Sequence, residues 1–97
     1  MITEHAILPV IAGQEVAFEA AFAEARPIIS SMPGFIDLSL SRSIESPSEY
    51  LLLVRWQTLE DHTVGFRQSV AYQLWRELLH RFYDPFPRVE HFVELDY

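Results

Sequence analysis

The chain has 97 residues, a length that accommodates one folded domain spanning residues 1–97. Hydrophobic residues make up 49 % and aromatic residues 13 % of the chain, which excludes a disordered or low-complexity protein. Seven basic residues, all arginine, stand against 14 acidic ones and give a net charge of −7. This balance disfavours nucleic acid and anionic membranes as partners, because binding to them depends on basic groups that replace counterions.

The chain has no cysteine, so a disulfide framework, thiolate chemistry and a zinc ribbon are excluded. Glu4 and His5 interrupt the N-terminal segment at the point where a signal peptide requires a basic region and then an unbroken apolar one. No apolar run approaches the length of a membrane span. The sequence therefore predicts a cytoplasmic protein that binds no membrane.

The first half of the chain predicts a strand, a helix and a second strand. Apolar residues dominate Ile2–Ile11, which indicates the first strand. From Gln14 the apolar residues recur three and four positions apart, as is typical of an amphipathic helix. Pro27 removes one intrahelical donor and predicts a kink or a loosened last turn. The predicted apolar face of this helix comprises Phe18, Ala21, Phe22, Ala25, Ile28 and Ile29.

A hairpin follows the helix. Phe35–Ile44 alternates, which predicts a half-buried strand with Ile36, Leu38 and Leu40 on one face. A Ser- and Pro-containing turn then leads into an apolar run over Tyr50–Trp56, so this third strand is predicted to return antiparallel to the second.

The remaining residues predict two helical segments and a last strand. Thr58 and Asp61 have the spacing of a capping box, which predicts a short helix over Leu59–Phe66. A longer amphipathic helix is predicted over Val70–Phe82, and a strand over Val89–Leu95. The predicted apolar face of the longer helix comprises Val70, Ala71, Leu74, Trp75, Leu78, Leu79 and Phe82.

The element order β-α-β-β-α-β predicts an α+β fold of the ferredoxin-like, split βαβ type. Right-handed crossovers place both helices on one face of a four-stranded antiparallel sheet. A sheet with water on its free face alternates in polarity, but Leu51–Val54 is apolar on both sides. The second face therefore needs a cover, and an identical sheet from a second chain is the simplest one. We predict a homodimer formed through the sheet face.

Several short segments, in this order and spacing, resemble the antibiotic biosynthesis monooxygenase (ABM) superfamily of dimeric α+β-barrel proteins. They are Gly13-Gln-Glu15, Pro33-Gly-Phe35, Tyr50-Leu-Leu-Leu-Val-Arg-Trp56, Thr58-Leu-Glu-Asp-His62, Gly65-Phe-Arg-Gln-Ser69, Tyr72-Gln-Leu-Trp75 and Val89-Glu-His-Phe92. The resemblance covers nearly the whole chain. It is more specific for the fold than for an activity, because one fold hosts several functions.

The resemblance implies a pocket between the sheet and its two helices. In enzymes of this family a small aromatic molecule reacts there with molecular oxygen without flavin, haem or metal, so no cofactor is expected. A phenol, quinol or anthrone loses a proton, and its anion reduces oxygen. The protein then has to supply a base, a donor for the anion and a dry aromatic cavity.

His62 is the candidate catalytic residue, as base or as donor to the substrate anion. In helical projection it lies close to Leu59 and Phe66, on the face that must point inward, and histidine titrates near neutral pH. The alternative is a partly buried histidine that donates to a backbone carbonyl.

The candidate pocket residues are less specific. Phe66 and Trp75 either form the pocket wall or belong only to the core, and Tyr72 sits at the boundary of the helical apolar face, where its hydroxyl could reach a ligand or water. Trp56 is predicted to pack structurally at the end of its strand, and His80 is predicted to be solvated.

Two further candidates lie on strands. Arg55 shares a strand face with Leu51 and Leu53, where it either binds a substrate anion or pairs with an acid across the dimer. His5 alternates with Ile7 and faces either the pocket or the dimer interface.

Three functions compete at this point. The first is a cofactor-independent monooxygenase acting on a small aromatic, and the second is a non-catalytic, small-molecule-binding dimer of the same fold. The third, a haem-binding or haem-degrading relative, is less supported, because the positions where those relatives carry asparagine, tryptophan and histidine hold other residues here. Those positions fall at His5-Ala6, Gly65-Phe66 and Arg76. No histidines have the spacing of a metal site.

Overall fold

Strands and helices follow one another in the predicted order in the computed structural model, which describes all residues from 1 to 97. The elements are β1 (Ile2–Pro9), α1 (Glu15–Ser30), β2 (Phe35–Arg42), β3 (Glu49–Trp56), a π-helical segment (Asp61–Phe66), α2 (Val70–Leu79), a 3-10 turn (His80–Phe82) and β4 (Val89–Phe92). The predicted ferredoxin-like α+β fold is confirmed.

The four strands form one antiparallel sheet in the order β2-β3-β1-β4. Strand β1 is central, since it pairs with β3 on one side and with β4 on the other. Glu4 of β1 is consequently opposite Val54 on β3 and opposite His91 on β4. Residues that are directly opposite in adjacent strands point to the same face, so this register brings Glu4 and His91 to one side of the sheet.

The core lies on the face that the helices cover. Alternate residues of β1 and β3 point into it, and the buried residues of α1 are those of its predicted apolar face except Ile28, which is half-buried. The helix continues through Pro27 to Ser30, so the proline does not end it. The inward side chains of the two strands are Glu4, Ala6, Leu8, Tyr50, Leu52, Val54 and Trp56.

The other sheet face carries apolar side chains that lie outside the core. Leu51 and Leu53 are half-buried and Ile7 is exposed, so β3 is apolar on both faces as predicted. Arg55 lies on this outer face and donates from Nε to Asp37 Oδ1 of β2 over 2.7 Å. Asp37 thereby serves as the partner of Arg55 within one chain.

Two predictions about side-chain orientation are wrong. A β-bulge between Phe35 and Asp37 takes Ile36 out of the alternation, so Ile36 is exposed instead of pointing inward with the leucines of β2. On α2, Val70 is 82 % exposed and Leu74 50 % exposed. The helical projection placed both at one edge of the apolar arc, whereas the buried residues of this helix, Trp75 and Leu79, lie towards the other edge.

Several element ends also differ from the prediction. The second helix changes to a 3-10 turn after Leu79, and β4 ends at Phe92, so that Val93 and Leu95 are exposed. The short helix is present, but its second part is π-helical: the Arg67 amide donates to the carbonyl of His62, five residues earlier, over 3.1 Å.

The start of this short helix is held by the predicted capping box. The Asp61 amide donates to Thr58 Oγ1 and the Thr58 amide donates to Asp61 Oδ2, each over 3.2 Å. The turn before β2 packs against it, because Gly34 has a φ of +84° and a Cβ at this position would overlap the Asp61 carboxylate. Gly34 thus helps to place the helical segment that carries His62.

We expect Gly34→Ala to lower the free energy of unfolding by about 2 kcal/mol, because alanine combines a disfavoured φ with a collision against Asp61. Gly13→Ala is the matched control, since Gly13 has a φ of +94° but open space around its Cβ position, and about 1 kcal/mol is expected. Urea denaturation measures both. Equal losses would show that the contact with Asp61 carries no energetic weight.

Candidate active site

A cavity of about 420 Å³ lies against the inner face of the sheet, within the size range of small-molecule sites. Residues of three strands form its floor, and the π-helical segment, α2 and the loop before β4 form its walls. They are Glu4, Ala6, Leu8, Leu52, Val89, His62, Phe66, Arg67, Tyr72, Trp75, His80, Tyr83, Phe86 and Pro87. No residue of α1 is among them. The cavity therefore lies between the sheet and the second half of the helical layer, and α1 does not line it.

Glu4 is the acidic group of this cavity. Its side chain projects from the inner face of β1 and the residue is only 5 % exposed. Its Oε1 accepts a hydrogen bond from Trp56 Nε1 over 3.0 Å. Burial raises the pKa of Glu4 to about 7, although the Trp56 hydrogen bond and the charge of Arg67 lower it in part. Near neutral pH the carboxyl can therefore both release and accept a proton.

His62 lies next to Glu4 and is 3 % exposed. The π-helical segment directs it inward, where its ring stacks on Trp56 with centroids 5.4 Å apart and an interplanar angle of 18°. Burial lowers the pKa of His62 to about 3, and the charges of Arg67 and His91 act in the same direction. His62 is therefore a neutral imidazole at pH 7, with one ring nitrogen protonated.

Both ring nitrogens of His62 have partners. Nε2 lies 3.3 Å from Glu4 Oε1, and Nδ1 lies 2.8 Å from His91 Nε2. His91 is half-buried on the edge strand β4, and its pKa is lowered by burial and by Arg67. The three side chains form a continuous row that leads from the cavity to the edge of the sheet, with a 3.3 Å contact between Glu4 and His62 and a hydrogen bond between His62 and His91.

Aromatic rings make up most of the remaining wall. Phe66 meets Tyr72 and Trp75 edge to face, with centroids 5.3 and 5.8 Å apart. His80 and Tyr83 continue the wall, and burial raises the pKa of the Tyr83 phenol so that it stays protonated. The chemistry of the wall suits a flat, apolar ligand that carries one or two polar groups.

Four of the predicted site residues come together in the cavity: His62, Phe66, Tyr72 and Trp75. Trp56, predicted to be structural, is fully buried and also donates to Glu4. His80, predicted to be solvated, is half-buried and lines the cavity, because the 3-10 turn that follows α2 directs it inward.

His5 and Arg55 do not line the cavity, and their assignment to the pocket is corrected. Both lie on the outer face of the sheet, because the alternation of β1 and β3 directs Glu4 and Val54 inward instead. His5 packs edge to face on Phe92, with centroids 5.4 Å apart.

Sequence reasoning did not identify Glu4 and His91. A signal for Glu4 was available in the sequence. Glu4, Ala6 and Leu8 are two residues apart and point to the same face of the strand, so Glu4 is an acid on an apolar face. No comparable signal marks His91, whose position depends on the pairing of the first strand with the last.

Nowhere in the chain do three or more His, Cys, Asp or Glu side chains converge as ligands of a metal ion. No helix has the length and hydropathy that crossing a membrane requires.

The fold and the cavity define the class of protein first: a ferredoxin-like α+β protein with a ligand-sized aromatic cavity on its helix-covered face. The family described as antibiotic biosynthesis monooxygenase (ABM) matches residues 1–78, and the chain belongs to this family. Membership supports a function of the monooxygenase type.

Similar proteins cover nearly the whole chain. YczJ of Bacillus subtilis (strain 168), an uncharacterised protein, is 57 % identical over 98 % of this chain and 100 % of its own length. The crystal structure of a candidate antibiotic biosynthesis monooxygenase from Bordetella bronchiseptica is 40 % identical, covers 97 % of this chain and 96 % of that chain, and superimposes with a TM-score of 0.92.

A monooxygenase from the gene ActVA-Orf6 of Streptomyces coelicolor, solved in complex with nanaomycin D, has the same fold. It superimposes with a TM-score of 0.81 over 99 % of this chain and 88 % of that chain, at 18 % identity.

Proposed function

We propose that this protein oxidises a small aromatic molecule of the phenol, quinol or anthrone type with molecular oxygen, without a bound cofactor. One observation carries the proposal: a buried carboxyl group, Glu4, lines an aromatic cavity beside a neutral imidazole, His62. A desolvated carboxylate is a stronger base than an exposed one, and its pKa near 7 suits proton abstraction at neutral pH.

In the proposed reaction Glu4 acts as the base. Its Oε1 is held by Trp56 and lies beside His62, while no protein group hydrogen-bonds its Oε2. The free oxygen takes a proton from the substrate hydroxyl or acidic C–H group. His62 acts through Glu4 as a positioning residue, since both of its ring nitrogens are engaged.

The later steps balance without a further reductant. For an anthrone, the substrate anion transfers electrons to oxygen, a C–O bond forms, and the peroxide anion recovers the proton from Glu4. The hydroperoxide then loses water, so the CH₂ group becomes a carbonyl and the second oxygen atom leaves as water. The aromatic wall holds the substrate ring and keeps solvent from the anion.

Oxygen consumption with phenols, hydroquinones and anthrones tests this proposal. We expect at least one class to consume oxygen, with one labelled oxygen atom from ¹⁸O₂ in the product, and to quench the fluorescence of Trp75 in the cavity wall. Quenching without oxygen consumption across all three classes would overturn the proposal and support the non-catalytic binding protein. The fold of the Streptomyces coelicolor protein that binds nanaomycin D is consistent with either kind of ligand site.

We also propose that two chains associate through the outer sheet face. Ile7, Leu51 and Leu53 place apolar surface there, and burying a side chain of this size contributes roughly 1.5–3 kcal/mol. Sedimentation equilibrium at micromolar concentration is expected to give twice the chain mass of 11.3 kDa, and Leu53→Glu is expected to shift the protein to monomers. A folded monomer without any substitution would contradict this interface.

A further inference from the structure

We propose that Glu4, His62 and His91 form a proton relay by which the buried base exchanges its proton with solvent, with His91 as the outer group. The catalytic consequence of the relay rests on the proposed function, whereas its proton chemistry does not.

The row is built by three separate elements. Pairing of β1 with β4 places His91 opposite Glu4, and the π-helical segment inserts His62 between them. The two links measure 3.3 Å from Glu4 Oε1 to His62 Nε2 and 2.8 Å from His62 Nδ1 to His91 Nε2. Glu4 and His62 are almost inaccessible to water, while His91 is half-buried, so the row has one inner and one outer end.

The two contacts of this row permit two hydrogen-bonded arrangements that differ by one proton. When Glu4 is protonated, its hydroxyl donates to His62 Nε2 and His62 Nδ1–H donates to His91 Nε2. When Glu4 is ionised, His62 Nε2–H donates to the carboxylate and His91 Nε2–H donates to His62 Nδ1. The first arrangement becomes the second when each proton moves one step outward and His91 releases its Nδ1 proton to water.

Such a relay allows Glu4 to exchange its proton with solvent although the carboxyl is buried in the cavity. Burial favours the protonated form of Glu4, and a bound aromatic molecule would separate the carboxyl from solvent. The relay removes the proton of Glu4 through His62 and His91, so the carboxyl can ionise while the substrate is bound. Two other groups act on it: Arg67, exposed at the cavity mouth, favours the ionised carboxylate, whereas the half-buried Tyr83 has a raised pKa and its phenol stays neutral.

Replacing His91 tests the catalytic part. We expect His91→Phe to lower kcat about tenfold or more, and added imidazole to restore it in proportion to its concentration. His91→Gln is the matched variant, because its amide donates to His62 Nδ1 but cannot pass a proton through. It is expected to stay slow and to respond to imidazole. Full activity of His91→Gln without imidazole would show that His91 only orients His62.

The proton chemistry is tested without turnover by ¹⁵N NMR of the histidine rings in the presence of a chelator. Between pH 5 and 9 we expect His62 to change from the Nδ1–H to the Nε2–H tautomer, with the midpoint of the Glu4 carboxyl titration. Glu4→Gln is expected to abolish this change. A constant His62 tautomer in the unsubstituted protein would overturn the relay, whereas a tautomer change in a protein that consumes no oxygen would overturn only the proposed function.

Discussion

Glu4→Gln is expected to lower the rate of aromatic oxidation by about 100- to 10,000-fold, the usual contribution of a general base. Glutamine has nearly the same shape, and its amide oxygen can still accept from Trp56 Nε1, which now donates to Glu4 over 3.0 Å. The cavity therefore keeps its form and loses only the group that accepts the proton. The loss should fall on kcat, while KM changes little.

The pH dependence gives this prediction a second readout. The base must be ionised, so the rate of the unsubstituted protein should fall as pH drops below about 7, the raised pKa of Glu4. The residual rate of Glu4→Gln should not follow this titration. Glu24 is an exposed glutamate on α1, so Glu24→Gln is the control variant and should leave the rate unchanged. A Glu4→Gln protein with full activity would remove Glu4 from the mechanism.

Glu4→Gln is also expected to stabilise the protein above pH 7. Its effect on the free energy of unfolding should be more favourable there than at low pH by about 3 kcal/mol. Burial raises the folded-state pKa of Glu4 from 4.5 to about 7. Between these values the folded state binds more protons than the unfolded state, so the contribution of Glu4 to stability declines as pH rises. Glutamine has no charge to desolvate and escapes this cost.

His62 contributes with the opposite sign. Its folded-state pKa is lowered from 6.5 to about 3, so the unfolded state binds more protons in that range and stability is lost as pH falls below 6.5. Urea unfolding of the unsubstituted protein and of Glu4→Gln at pH 5 and pH 8 therefore separates the contribution of Glu4 from that of His62. The pH-dependent change due to His62 occurs in both proteins, so it cancels when their free energies of unfolding are subtracted. A stability difference that is the same at both pH values would contradict the burial cost assigned to Glu4.

This comparison links the stability of the chain to its proposed chemistry. An ionisable group that is costly to bury and has a cavity beside it is typical of a functional site. The row of Glu4, His62 and His91 is the part of the protein where hydrophobic packing alone would favour other residues. Loss of activity together with a gain in stability in Glu4→Gln would be the expected signature.

Local patterns predicted the candidate site in part. His62 was identified because the capping box of Thr58 and Asp61 fixes where the short helix begins, and that start determines which side points inward. Phe66 and Trp75 followed from helical spacing in the same way. The π-helical hydrogen bond of Arg67 to His62 was not foreseen, because wide turns have no distinctive pattern of residue types.

The strand residues show where such reasoning failed. The alternation of His5 with Ile7 left open whether His5 faces the pocket or the dimer interface. Glu4 alternates with the buried Ala6 and Leu8 and is the residue that points inward. Arg55 was correctly placed on the face of Leu51 and Leu53, but that face is the one opposite the cavity.

The order of the elements, the antiparallel sheet and its two apolar faces were determined by the sequence itself, because periodicity, turns and caps act between residues that are close along the chain. Which acid, imidazole and aromatic groups share one cavity was decided only by the tertiary structure. Glu4 and His91 lie at opposite ends of the chain, and only the pairing of β1 with β4 brings them to His62. Contacts between distant residues depend on register and burial, which no local pattern specifies.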